Sequence, residues 1–158
     1  MGNKHSIIPG DEPFDFATFK PTWMPHKYLV APTSLCTNAS PNQVADVYEG
    51  VSPSSLRDAW KSMIAKQPRT TEEKSFPDVE QYCFIQRSAK MEFPDDIIVQ
   101  FFDAQRFSPD APAGSSTLAV YSCSEMGVGD MGVNKHRVKT WLAALKDELG
   151  AGPVPAAA

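Results

Sequence analysis

Paired cysteines, metal-ligand spacings, excess positive charge and long apolar runs are all missing from this sequence, and each gap removes a class of function. Cys36, Cys83 and Cys123 stand far apart, with no C-x-x-C among them. That leaves neither a disulfide framework nor a thiol metal or redox motif. His5, His26 and His136 are equally scattered, so no His/Cys cluster offers a metal site. A net charge of −4 argues against nucleic-acid binding. No apolar run approaches the roughly 20 residues of a membrane span. The start carries no apolar signal segment, so a reduced, cytoplasmic location is expected.

Glycine, by contrast, is concentrated where it draws attention. Gly127-Val128-Gly129-Asp130-Met131-Gly132 matches G-x-G-x-x-G, after a plausible strand and before a helix. A dinucleotide site needs a second parallel strand after that helix and an acidic residue to follow. A Pro/Ala tail follows instead, so no cofactor is expected, and the glycines read as a loop needing positive φ. Asn134 is expected to cap the helix. Val138, Trp141, Leu142, Leu145 and Leu149 give it one apolar face, and Gly150 stands at the C-cap position. Lys135, His136 and Arg137 fill the first turn, where the helix dipole disfavours positive charge. Such a cluster calls for an anion, either an internal carboxylate from Asp95, Asp96 or Asp130, or an external phosphate or carboxylate.

Ser52-Pro53 opens an earlier helix with a cap and a first-position proline. Leu56, Trp60, Met63, Ile64 and Gln67 mark one face of it, and Pro68 stops it. Strands are predicted at Tyr82 to Ala89, Ile97 to Phe102 and Leu118 to Ser124, with a short further one between Arg69 and Ser75. The expected fold is α+β, an antiparallel sheet of three to four strands packed by two helices. Residues 1–35 read as an extended N-terminal arm rich in proline and aromatics, 36–150 as the domain, and 151–158 as a Pro/Ala tail. Proline keeps the arm extended. Its aromatics Phe14, Phe16, Phe19, Trp23 and Tyr28 are expected to fill pockets on a partner or on the back face of the domain. Met1-Gly2-Asn3-Lys4-His5-Ser6 fits the N-myristoylation pattern. Gly2 is therefore a lipidation candidate, and a membrane is a partner only through it.

Gly129-Asp130-Met131-Gly132-Val133-Asn134-Lys135-His136-Arg137 resembles the Asp-x-Gly-x-Asn-Arg-x-Arg signature of the DUF1499 family, a domain of unknown function. Cys36 to Val44 resembles that family's Cys-Pro-x-Ser-Pro-Asn-Cys-Val segment. Ser40-Pro41-Asn42 is kept, and Gln43 stands in place of the second cysteine. Phe93-Pro94-Asp95-Asp96 resembles the family's Phe-x-Asp-Asp. Where the family reads Arg-Ser-x-Ser-Arg, this chain has Tyr121-Ser122-Cys123-Ser124-Glu125. Both serines survive, and the second arginine is reversed in sign. The resemblance spans about residues 36 to 149 and implies a divergent member that has lost two arginine forks for any anionic ligand.

Catalysis is not expected. Ser122 and Ser124 have no histidine with a motif-level claim on them. Asp95 and Asp96 are adjacent, so on a strand they point to opposite faces. The expected function is that of a non-enzymatic structural or interaction protein, docking through its arm into a cytoskeletal, ciliary or membrane-bound assembly. The alternative is a small-ligand or lipid-binding module that uses the Gly127–Arg137 loop as an anion site.

Overall fold

The computed structural model describes residues 6–21, 26–125 and 132–151. Along the chain run β1 (Lys27–Ala31), β2 (Gln43–Val44), α1 (Pro53–Ile64), β3 (Thr70–Phe76), β4 (Gln81–Arg87), β5 (Pro94–Asp103), β6 (Ser116–Ser124) and α2 (Val133–Ala151). The class is α+β, but the sheet is larger than three to four antiparallel strands. Its six strands lie in the order β2-β1-β6-β5-β4-β3. It is mixed, because β1 and β2 are parallel while every other neighbouring pair is antiparallel.

Two strands are missing from the sequence reading, the two-residue β2 and the longer β1, which falls inside the stretch read as an extended arm. Lys27-Tyr-Leu-Val-Ala31 is a short β-prone run lying between Pro25 and Pro32. Proline density hid it. Yet prolines at both flanks are compatible with a strand that begins after one and ends before the other. Its Tyr28, Leu29, Val30 and Ala31 are all buried, because it sits inside the sheet against β6. Asn42 fastens its outer edge. The Asn42 side chain accepts from the Leu29 N–H, and the Asn42 N–H donates to Leu29 O, both at 2.8 Å.

Both helices cover one face. Ser52 caps α1 by accepting from the Ser55 N–H, with proline at the first turn. Leu56, Trp60, Met63 and Ile64 of α1 and Val138, Trp141 and Leu145 of α2 are buried there. They meet Val30, Phe84, Ile97, Val99, Phe101, Leu118 and Val120 of the sheet in one core. Trp60 lies at the centre of that core, in edge contact with Phe101 at 6.2 Å and Trp141 at 6.0 Å. Gly150, expected at the cap, lies within α2, which continues to Ala151.

The other face of the sheet is covered by the arm. Phe16, Leu35 and, in part, Ile7, Ile8, Phe14 and Phe19 pack on Leu29, Cys83, Ile98, Phe102, Ala119, Tyr121 and Cys123. A period of two along each strand produces both cores from the same sequence. On β5, Ile97, Val99 and Phe101 face the helices, while Ile98 and Phe102 face the arm.

Candidate functional site

The polar residues of the signature converge at one end of the helix-covered face. Strand register brings Gln86, Asp95 and Ser124 into one row across β4, β5 and β6, with Ser122 one step inward. Arg137, on the first turns of α2, reaches across this row and is 8% exposed. Its Nη2 pairs with Asp95 Oδ2 at 2.6 Å. Its Nε donates to Gln86 Oε1 at 2.5 Å, and its Nη1 to Ser122 Oγ at 3.1 Å and to Asn134 Oδ1 at 2.8 Å. A planar fork of five donors suits this task, because each nitrogen finds its own acceptor.

Asn134 sits inside α2 rather than at its cap, and it is fully buried. Its Oδ1 accepts from Ser122 Oγ at 2.6 Å. Its amide nitrogen donates to His26 O at 3.1 Å and Ser124 Oγ at 3.0 Å. One side chain thereby ties α2 to β6 and to the segment entering β1. Such an amide has four hydrogen-bonding positions, and burying it is tolerable only when they are filled. Of the three basic residues at the start of α2, Arg137 is thus matched by an internal partner on β5, while Lys135 and His136 are exposed.

Other predicted residues do not join this centre. Lys135 is exposed and lies outside the network. Asp96 faces the opposite side of the sheet from Asp95, beneath the arm, as alternation along a strand demands. Its Oδ2 accepts from Ser6 Oγ and the Ile7 N–H. Asp130, with the rest of Gly127–Met131, lies outside the described residues, as do Gly2 and Trp23. Gly132, the last glycine of the loop, has a φ of +79°, a conformation in which glycine is preferred.

The arm aromatics divide between two faces. Phe14, Phe16 and Phe19 form a cluster with Tyr121, with Phe14–Phe16 at 5.0 Å and Phe19–Tyr121 at 5.0 Å between ring centres. Tyr28 belongs to the helix-side core, and its hydroxyl donates to Gln43 Oε1 at 3.1 Å. Sequence reasoning missed Gln81, which is fully buried and grips the arm. It accepts from the Phe14 N–H at 2.8 Å and donates to Phe14 O at 2.7 Å. A glutamine in a β-prone run carries no signal for this, because its partner is backbone from a distant segment. It missed Glu125 as well, which is buried beside Asp96.

Ser122 has its hydroxyl engaged by Asn134 and Arg137, neither of which is a base. The thiols of Cys83 and Cys123 are pushed up by burial, to about 12 and about 11. Neither is a ready nucleophile. Among the described residues no group of three or more His, Cys, Asp or Glu could hold a metal ion. No described helix is long and apolar enough to cross a membrane. An open groove of about 500 Å³ lies on the arm side at the far end of the sheet, lined in part by Phe14, Phe16, Phe102 and Arg106.

A two-layer α+β domain, with an Asp–Arg–Asn–Ser network locking its last helix to its sheet, is the class that fold and site define. The chain belongs to the DUF1499 family, described as a protein of unknown function, whose model matches residues 27–145. No curated protein and no solved structure matches the chain.

Proposed function

We propose that this chain is a non-enzymatic structural or interaction protein that docks into a larger protein assembly, with its N-terminal arm shaping the docking surface. The observation that supports this reading is the inward use of the signature. Asn42, Asp95, Ser122, Ser124, Asn134 and Arg137 all bond to other parts of the same chain. Groups that do chemistry need a free lone pair or proton facing a substrate, whereas each of these is engaged by a partner within the fold. Phe14, Phe16 and Phe19 are engaged with the chain's own sheet, so in this proposal the arm meets its partner with its outward side. Asp11 and Glu12 are exposed there, which suits a basic partner surface. A cytoplasmic site of action, on a cytoskeletal, ciliary or membrane-bound assembly, is part of the same proposal.

The test is a double variant, Asp11→Lys with Glu12→Lys, which alters the outward side and leaves the buried side alone. The variant should melt with the wild type and lose its place in the cell, followed by a fluorescent tag. Unchanged localisation, or turnover of any substrate by purified protein, would overturn the proposal.

A further inference from the structure

Asp96 lies on the arm side of β5 and is fully buried. Its Oδ2 accepts two hydrogen bonds from the beginning of the arm, one from the Ser6 hydroxyl and one from the Ile7 N–H, each at 2.9 Å. Among the described residues, no N–H or hydroxyl reaches its buried Oδ1. The remaining neighbour is a second acid. Glu125, which directly follows β6 and is 6% exposed, lies on the same face two residues beyond Cys123, the cross-strand partner of Asp96. Two neighbouring acids in a buried site cannot both ionise without a large cost, so the pair keeps a proton between them. Backbone keeps the acids together. The Glu125 N–H donates to Pro94 O at 3.2 Å, and Asp96 is in register with Cys123.

We infer that Asp96 and Glu125 form a proton-held latch, which fastens the start of the N-terminal arm to the back of the sheet and opens as pH rises. Closed, the pair carries one negative charge and one proton, and Asp96 still accepts from Ser6 and Ile7. Loss of the proton leaves two like charges side by side in a buried site, an arrangement relieved only by water. Water reaches Asp96 when Ser6 to Ile8 swing away, which also uncovers the edge of the apolar face that Ile7 and Ile8 pack against.

The opposing terms can be weighed. The two hydrogen bonds from the arm favour ionised Asp96, whereas burial and Glu125 favour the protonated form and dominate, so the carboxyl is pushed up to about 8. Among the described residues, the other titratable groups on this face are Cys83 of β4, Cys123 and Tyr121 of β6, and Cys36; burial raises the Cys83 and Cys123 thiols to about 12 and about 11, so both remain neutral across the window. Beyond them, Glu72 and Lys74 of β3 act at Cys83, while Lys27 of β1 and Asp95 act at Cys123. With the arm released, Asp96 is hydrated and returns toward the ordinary carboxylate value. The docked arm therefore binds a proton that the released arm gives up. The proton-linked part of docking is complete below the ordinary carboxylate range, declines as pH rises from there, and is gone above about 8.

The test is amide hydrogen exchange at Ile7 on the full chain between about pH 5 and pH 9, expressed as protection relative to the unstructured rate. Protection should fall as pH rises, by up to about ten-fold per pH unit for one linked proton, while amides of β5 and β6 stay protected. Asp96→Asn keeps an acceptor for Ser6 and Ile7 and carries its own donor for Glu125, so its protection should not vary with pH. Glu125→Gln removes the second charge and should flatten the profile too, which covers the case in which Asp96→Asn fails to fold. Glu125→Arg replaces the shared proton with an ion pair and should keep the arm protected at alkaline pH. A flat profile in the wild type, or an unchanged slope in the folded Asn or Gln variant, would overturn the latch.

Discussion

At the scale of single residues, the question is how a guanidinium comes to be buried without loss. Arg137 is 8% exposed and the Asp95 side chain 13%, so the pair pays most of its desolvation. Such a pair holds only because Gln86, Ser122 and Asn134 fill the remaining positions. Removing one partner strands the others. Arg137→Ala should therefore destabilise by about 3–5 kcal/mol, measured by urea denaturation. Arg137→Lys should recover only part of this, because one ammonium cannot reach the four acceptors on three strands and a helix at once. Lys135→Ala, two residues away and exposed, should change stability by less than about 0.5 kcal/mol. Equal effects at the two positions would mean that the network carries no special weight.

At the scale of elements, the arm behaves as a third layer. It is fastened at Asp96 through Ser6 and Ile7, at Gln81 through Phe14, and at Thr37 and Asn38, which bond to Ala17 O and Thr18 O. Between these points Phe16 is 2% exposed. Truncating Phe16 to alanine should cost about 3 kcal/mol or more, a drop in Tm of several degrees at roughly 2–4 °C per kcal/mol for a chain of this size. Deleting residues 1–20 should lower Tm further and raise binding of a hydrophobic dye, because the back of the sheet is then bare. A truncated protein that melts like the full chain would show that the arm covers nothing of consequence. The deletion must stop short of Lys27, since β1 is an interior strand and its loss would unfold the sheet for a different reason.

At the scale of the whole molecule, pH and ligands report on the two polar centres. Asp96 is raised in the folded chain, to about 8. Its contribution is therefore fully present below the ordinary carboxylate range, shrinks as pH rises, and is lost above about 8. Urea midpoints should accordingly fall between about pH 5 and pH 9, and the fall should be shallower in Asp96→Asn. A midpoint that rises over that range in the wild type would contradict the sign. Inorganic phosphate and NAD should leave Tm unchanged, because a ligand stabilises only through binding to the folded state and Arg137 is already occupied from within. A phosphate-dependent rise in Tm that disappears in Lys135→Ala would favour the anion-binding alternative.

The sequence by itself determined the two helices with the apolar side of each, and the four strands β3 to β6, because those follow from local periodicity, β-prone runs and capping. Trp60 and Trp141 were legible as core from spacing alone, and the opposite facing of Asp95 and Asp96 follows from strand geometry. Family membership was legible in Asp95, Asn134 and Arg137. Tertiary structure decided the rest. Proline spacing concealed β1, whose place in the sheet depends on pairing with β6, far along the chain. Asn134 has the composition of a cap, but it became a buried hub because His26 and Ser124 arrive beside it from other elements. Gln81 and Glu125 acquired their roles only when the arm folded back over the sheet. Local pattern encodes which residues are buried. Long-range contact alone decides which polar groups meet, since hydrogen bonds and shared protons act over a few ångströms and leave no period in the sequence.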